Sequence, residues 1–107
     1  MIVVTTADIP GMRVVQTLGL VRGNTIRARH VGKDIIAVLR NLAGGEIPEY
    51  TKMMAEVREQ AIDRMVEEAE ALGADAVIVV RFQNTEIMKG AAEMLCYGTA
   101  VRLEPAE

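Results

Sequence analysis

Two stretches of this chain lack the in/out alternation of a strand with one wet side. Ala76-Val77-Ile78-Val79-Val80 is apolar at every position, and Met94-Leu95-Cys96-Tyr97-Gly98-Thr99-Ala100-Val101 is nearly so. An antiparallel sheet with a solvated face alternates apolar and polar residues, so both faces of these strands need cover. The pattern elsewhere predicts few elements to supply it. Ile2–Thr5 reads as a short strand and Ile9-Pro10-Gly11 as a turn. Met12–Val21 reads as a longer strand, Gly23-Asn24 as a second turn, and Thr25–Arg29 as a short extended segment.

Helical spacing appears twice. Ile35, Val38, Leu39 and Leu42 fall on one side of a short helix, Asp34–Leu42, which Gly44-Gly45 ends. Pro48 opens a long helix that runs to Leu72 and stops at Gly73. It spans roughly 35 Å at 1.5 Å per residue. Its apolar stripe is Tyr50, Met54, Val57, Ala61, Met65, Ala69 and Leu72, and its opposite edge is Glu56, Glu59, Asp63, Glu67 and Glu70. Strands Ala76–Phe82 and Ala92–Leu103 follow, joined by a connection around Gln83–Gly90. On the last strand the larger odd residues, Leu95, Tyr97, Thr99, Val101 and Leu103, are expected under the long helix. The even residues, Met94, Cys96, Gly98 and Ala100, are expected on the uncovered side. The order of elements predicts one α+β domain over 1–107, a small two-layer β-α-β-β unit whose long helix packs on a mostly antiparallel sheet. One helix layer cannot cover both sheet faces, so further copies of the chain are the expected cover.

Composition sharpens this picture. Half of the 107 residues are hydrophobic but only 3% are aromatic. The core is therefore aliphatic, with few of the rigid rings that ligand pockets and single-stranded nucleic acid sites use. A net charge of −3 argues against nucleic acid as the main partner. One cysteine fits a reducing cytoplasm, Met1–Thr6 lacks the marks of a secretory signal, and no apolar run approaches the roughly 20 residues of a membrane helix. The expectation is a soluble cytoplasmic protein.

Candidate chemistry is sparse. Cys96 is the only thiol and His30 the only imidazole, and neither sits in a metal-ligand spacing. Cys96 reads as a small buried hydrophobe, or as one ligand of a metal site repeated around a symmetry axis. Arg22, Arg27, Arg29 and Lys33 surround His30 in a basic patch, which is either a solvated strand edge or an anion site. Arg58 falls within the apolar stripe of the long helix, and Arg81 ends an apolar strand. Each is expected to pair with a carboxylate or to hold an anion at a subunit boundary. No nucleophile–base arrangement and no phosphate-binding glycine loop is evident, which predicts no enzymatic activity.

The chain also resembles the YbjQ-like family, which carries the name "putative heavy-metal-binding domain". The likeness rests on Thr5-Thr6 with its following turn, Gly19–Gly23, Arg27–Asp34, Leu39–Ile47, Tyr50-Thr51, Arg58, Met65, Leu72–Val77, Val80–Phe82 and Tyr97–Val101. It implies a dodecin-like β-α-β-β subunit that assembles into a ring-shaped homopentamer. It also implies a heavy-metal ion or small ligand as the bound species, for which Cys96 and His30 are the candidate metal ligands. The alternative is a small-anion binder or weak enzyme with a site between subunits, built from Arg29, Arg58 and Tyr50.

Overall fold

The structure, a computed structural model, describes residues 1–28, 48–88 and 91–107, and the side chains of residues 1–26, 54–86 and 92–107. Its elements are β1 (Ile2–Val3), β2 (Met12–Ala28), α1 (Pro48–Ala71), β3 (Ala76–Met88) and β4 (Ala91–Pro105). They form a four-stranded sheet in the order β1-β3-β4-β2. β1 pairs with β3 in parallel, whereas β4 pairs antiparallel with both β3 and β2. This is the expected helix-on-sheet α+β layer. The expected helix Asp34–Leu42 lies outside the described residues.

Helix α1 ends where its sequence predicts. Gly73 adopts φ 77°, which favours glycine, and the amides of Gly73 and Ala74 donate to the carbonyls of Glu70 and Ala69 at 3.0 and 3.1 Å. This Schellman pattern pairs carbonyls that a helix end otherwise leaves open. The buried stripe is Val57, Ala61, Met65 and Ala69, with Met54 and Ile62 packed at its margin. The five acidic residues of the opposite edge are exposed, as expected. Leu72 is 46% exposed and lies off the stripe, because the helix has already ended.

Three expectations about the strands are corrected. Gly23-Asn24 is not a turn: β2 continues through it, and Thr25–Ala28 belongs to the same strand. Gly23 is there because the helix lies on it. A Cβ at that position would fall inside the carbonyl oxygen of Ala61, 2.5 Å from the amide nitrogen of Met65 and 2.9 Å from Arg64 Cβ. Likewise β3 does not stop at Phe82 but runs to Met88 beside β4. At about 3.3 Å per residue, these long strands account for dimensions of 58 × 24 × 16 Å.

The third correction concerns which side of β4 the helix covers. Met94, Cys96, Gly98 and Ala100 are buried beneath it with Val21, Val77 and Val80, whereas Leu95, Tyr97, Thr99 and Leu103 are half-buried. Val101 is buried as well, opposite Ala76. Bulk misleads here because a helix backbone approaches a sheet closely only where side chains are small. The alanines of α1 and Gly23 of β2 permit that approach.

Candidate functional site

Cys96 lies in the middle of the covered face with no solvent exposure, and its Sγ is 3.5 Å from Met65 Sδ. Burial pushes the thiol pKa up from its ordinary 9.0, so the group stays protonated and donates weakly to the thioether. A metal ligand must be the thiolate. Among the described residues no group of three or more His, Cys, Asp or Glu could hold a metal ion. The donors present there do not build a heavy-metal centre, and Cys96 has the surroundings of a core residue.

The other expected site residues do not converge within the described part. Arg58 is exposed on α1 and not in its buried stripe, which runs one residue to its side through Val57 and Ala61. Tyr50 is in the first turn of α1, and its side chain lies outside the described residues, as do Arg29 and His30.

A different set is brought together on the open face. Arg22 of β2 and Arg81 of β3 both stand opposite Tyr97 of β4, so the three side chains form one row across three strands. Directly opposite residues place their Cβ atoms about 5 Å apart. Both arginines are exposed and Tyr97 is half-buried. Above the row lie Leu20, Thr99 and Ile78, and below it Asn24, Leu95 and Gln83. Among the described residues, neither guanidinium has a carboxylate within 4.0 Å.

Arg81 owes its place to a bulge. Ile78 faces Thr99 but Arg81 faces Tyr97, so β3 carries one extra residue between them. An unbroken ladder would set Arg81 opposite Cys96, beneath the helix. A one-residue shift turns a side chain to the other face. The extra residue brings Val79 to φ 53°, a strained angle for a β-branched residue. The N-terminal segment holds the distortion: Val79 N donates to Thr6 O and Val80 N to Val4 O, both at 3.0 Å. Arg81 Nη1 donates to the carbonyls of Thr5 and Val80, each at 2.9 Å. Gly98 leaves the room, since a Cβ there would lie 2.7 Å from Val77 Cγ1 and 2.9 Å from Ile78 O.

The row was not legible as a site in the sequence, although one signal was available. Val77 and Arg81 share a face in any regular strand, and an apolar run cannot bury both. A cation in phase with a core valine marks a bulge between them.

The fold and its packing define the class: a small α+β domain with one sheet face covered by its helix and, among the described residues, the other open. The chain belongs to the YbjQ family, described as "Putative heavy-metal-binding", whose sequence profile matches residues 1–104. It is 58% identical over 105 residues to a UPF0145 protein of Thermus thermophilus, covering 98% of this chain and 92% of that one. It is 64% identical over 98 residues to a UPF0145 protein of Halorubrum lacusprofundi, covering 92% and 94% of the two. The fold is also that of a protein of unknown function in the DUF74 family from Pediococcus pentosaceus, solved by crystallography at 2.73 Å. That likeness has a TM-score of 0.68 at 14% identity, over 97% of this chain and 98% of the other.

Proposed function

We propose that this chain is a non-catalytic binding protein that works as a homo-oligomer, a ring of five in the manner its family resemblance implies. The observation that carries the reading is the uncovered sheet surface. Leu20 and Ile26 are 62% and 59% exposed on the open face, and Val14 and Val15 are 41% and 43% exposed near the start of β2. β2 is an outermost strand of 17 residues, paired only with β4 among the described residues. A long apolar edge is a template for another chain. The radius of gyration, 17.6 Å, exceeds the roughly 13 Å of a compact chain of this length, which supports a subunit that completes its packing with neighbours.

Binding is favoured over turnover because the described residues bring no nucleophile beside a base. A cytoplasmic setting is part of the proposal and is supported by the free, buried Cys96. Among the described residues no helix is long and apolar enough to cross a membrane.

Size-exclusion chromatography with light scattering tests the assembly. The expected result is a multiple of the subunit mass that falls in a Leu20→Glu, Ile26→Glu variant. A stable, folded monomer at micromolar concentration would overturn it. The metal part is tested by calorimetric titration with copper, zinc and cadmium. Any binding is expected to persist in Cys96→Ala, because the native thiol is protonated and packed. Binding lost with that substitution would return Cys96 to the metal site.

A further inference from the structure

The geometry points to an oxyanion-binding site on the open sheet face, formed by Arg22, Tyr97 and Arg81, that takes a carboxylate or phosphate group carried on a short apolar body. The row lies within one chain but on the same open face as Leu20, so it takes a ligand only where a neighbouring copy in the assembly proposed above leaves that row uncovered.

Four observations carry it. First, the register sets Arg22 and Arg81 on either side of Tyr97, with the Arg81 guanidinium drawn toward the N-terminal segment by the carbonyls of Thr5 and Val80. Guanidinium forks match the planar geometry of carboxylate and phosphate oxygens, and a phenolic hydroxyl adds a neutral donor between them. Second, neither charge has a carboxylate partner among the described residues, in a chain whose net charge is −3. The described carboxylates with assigned partners are engaged by other groups: Glu104 by Arg13 at 3.1 Å and Asp75 by the amide of Leu103 at 2.8 Å, both away from the row, and Glu93, on the open face, by Asn24 of the row below at 3.3 Å.

Third, Arg81 is held in position without being neutralised. Its Nη1 donates to two carbonyls, which fix the guanidinium but carry no net charge, and its remaining N–H groups are left for a ligand. Holding a side chain in its bound pose lowers the ordering cost of binding. The bulge that turns Arg81 onto this face costs backbone strain at Val79, and such strain persists where surrounding structure enforces it, often at functional sites. Fourth, the rows beside the arginines are partly greasy. Leu20, Ile78 and Leu95 flank Tyr97, so an apolar body would lie on them while its anionic end meets the guanidiniums. The nearby apolar surface also strengthens each charge interaction by displacing water.

Isothermal calorimetry at fixed ionic strength with inorganic phosphate, phenyl phosphate and hexanoate tests the assignment. Saturable binding is expected, tighter for phenyl phosphate or hexanoate than for inorganic phosphate. Arg22→Gln should weaken it about tenfold or more, the loss of one charged hydrogen bond, and Tyr97→Phe by a smaller factor. Arg13→Gln, near the opposite end of β2 and paired with Glu104, should leave it unchanged. Arg81→Gln should weaken binding too but also removes the tie to Thr5, so Arg22→Gln, whose side chain anchors no backbone, is the deciding variant. No saturable heat at millimolar concentration with any of the three anions would overturn the site. Equal losses from Arg13→Gln and Arg22→Gln would reduce it to diffuse charge and overturn it as well. Equal affinity for inorganic phosphate would remove the apolar body from the ligand. If Arg22→Gln changes the subunit number and leaves the anion heats unchanged, the row is a subunit contact: this inference fails and the assembly stands.

Discussion

The two faces of β4 use one strand for opposite purposes. On one side Met94, Cys96, Gly98 and Ala100 lie under α1, nearly or fully buried. On the other, Leu95, Tyr97 and Thr99 are half-buried with arginines and aliphatic residues around them. The covered side has the smaller residues and the open side the larger ones. Closeness of approach, and not the size of the apolar side chains, decides where a helix docks. The larger residues stay half-exposed beside arginines, and Tyr and Arg are residue types that carry much of the binding energy where interfaces form.

The strongest way to break this comparison is to put a side chain where the helix backbone rests. Gly23→Val is expected to cost about 3 kcal/mol or more, at the upper end for overpacking, because the clash is with backbone atoms that cannot move aside. Gly19→Ala in the same strand is the control: its φ of 129° makes it strained, but no atom lies within 4 Å of the added Cβ. Chemical denaturation of the two variants should therefore show a much larger loss for Gly23. Equal losses would mean that the helix shifts to admit the side chain and that Gly23 is not its fixed seat.

Gly23 also shows what the sequence could and could not give. The Gly-Asn pair reads as a hairpin turn by local chemistry. Only the tertiary fact that a helix crosses at that point explains the glycine. The helix was legible throughout, because its start at Pro48, its alanine-rich stripe and its stop at Gly73 are all local signals. The order of strand, helix and two closing strands was legible for the same reason. The face of β4 was not, since both faces are apolar and period-two reasoning has no polar side to reject. The candidate site was the least legible part. Its residues, Arg22, Arg81 and Tyr97, are distant in sequence, and a bulge that no single-strand pattern displays brings Arg81 to its row. Arg58 lies outside the buried stripe, a small error of phase on the helix wheel: one residue separates it from buried Val57.

A second test sharpens the contrast through Cys96. Burial raises the folded-state thiol pKa above the unfolded value. The folded state therefore holds its proton where the unfolded chain releases it. Stability is fully present below pH 9.0, the thiol's ordinary value, and is lost as pH rises through the higher folded value. The slope from this group is at most about 1.4 kcal/mol per pH unit. Other groups titrate in the same range, so the quantity to measure is the difference between the native chain and Cys96→Ala in denaturant melts across that window. The difference should shrink as pH rises. A constant difference would mean that the thiol is wetted and that the covered face is less dry than its packing indicates.

The same substitution made once on each face gives the smallest and most direct comparison. Thr25 is 3% exposed opposite Met94, and its Oγ1 has no hydrogen-bond partner among the described residues. Thr99 sits half-buried on the open face between Leu20 and Ile78. Valine has nearly the shape of threonine and lacks the hydroxyl. An orphaned buried hydroxyl carries a desolvation penalty that valine removes, so Thr25→Val should raise stability by about 1 kcal/mol. Thr99→Val should stay within about 0.5 kcal/mol of the native chain, as surface changes usually do. The midpoint of urea unfolding, with an unchanged slope, measures both. If Thr25→Val is destabilising, its hydroxyl is satisfied in solution by water or by another group, and the helix does not seal this end of the sheet. If Thr99→Val is the one that stabilises, the open face is already sheltered, as it would be once a neighbouring copy has closed over it.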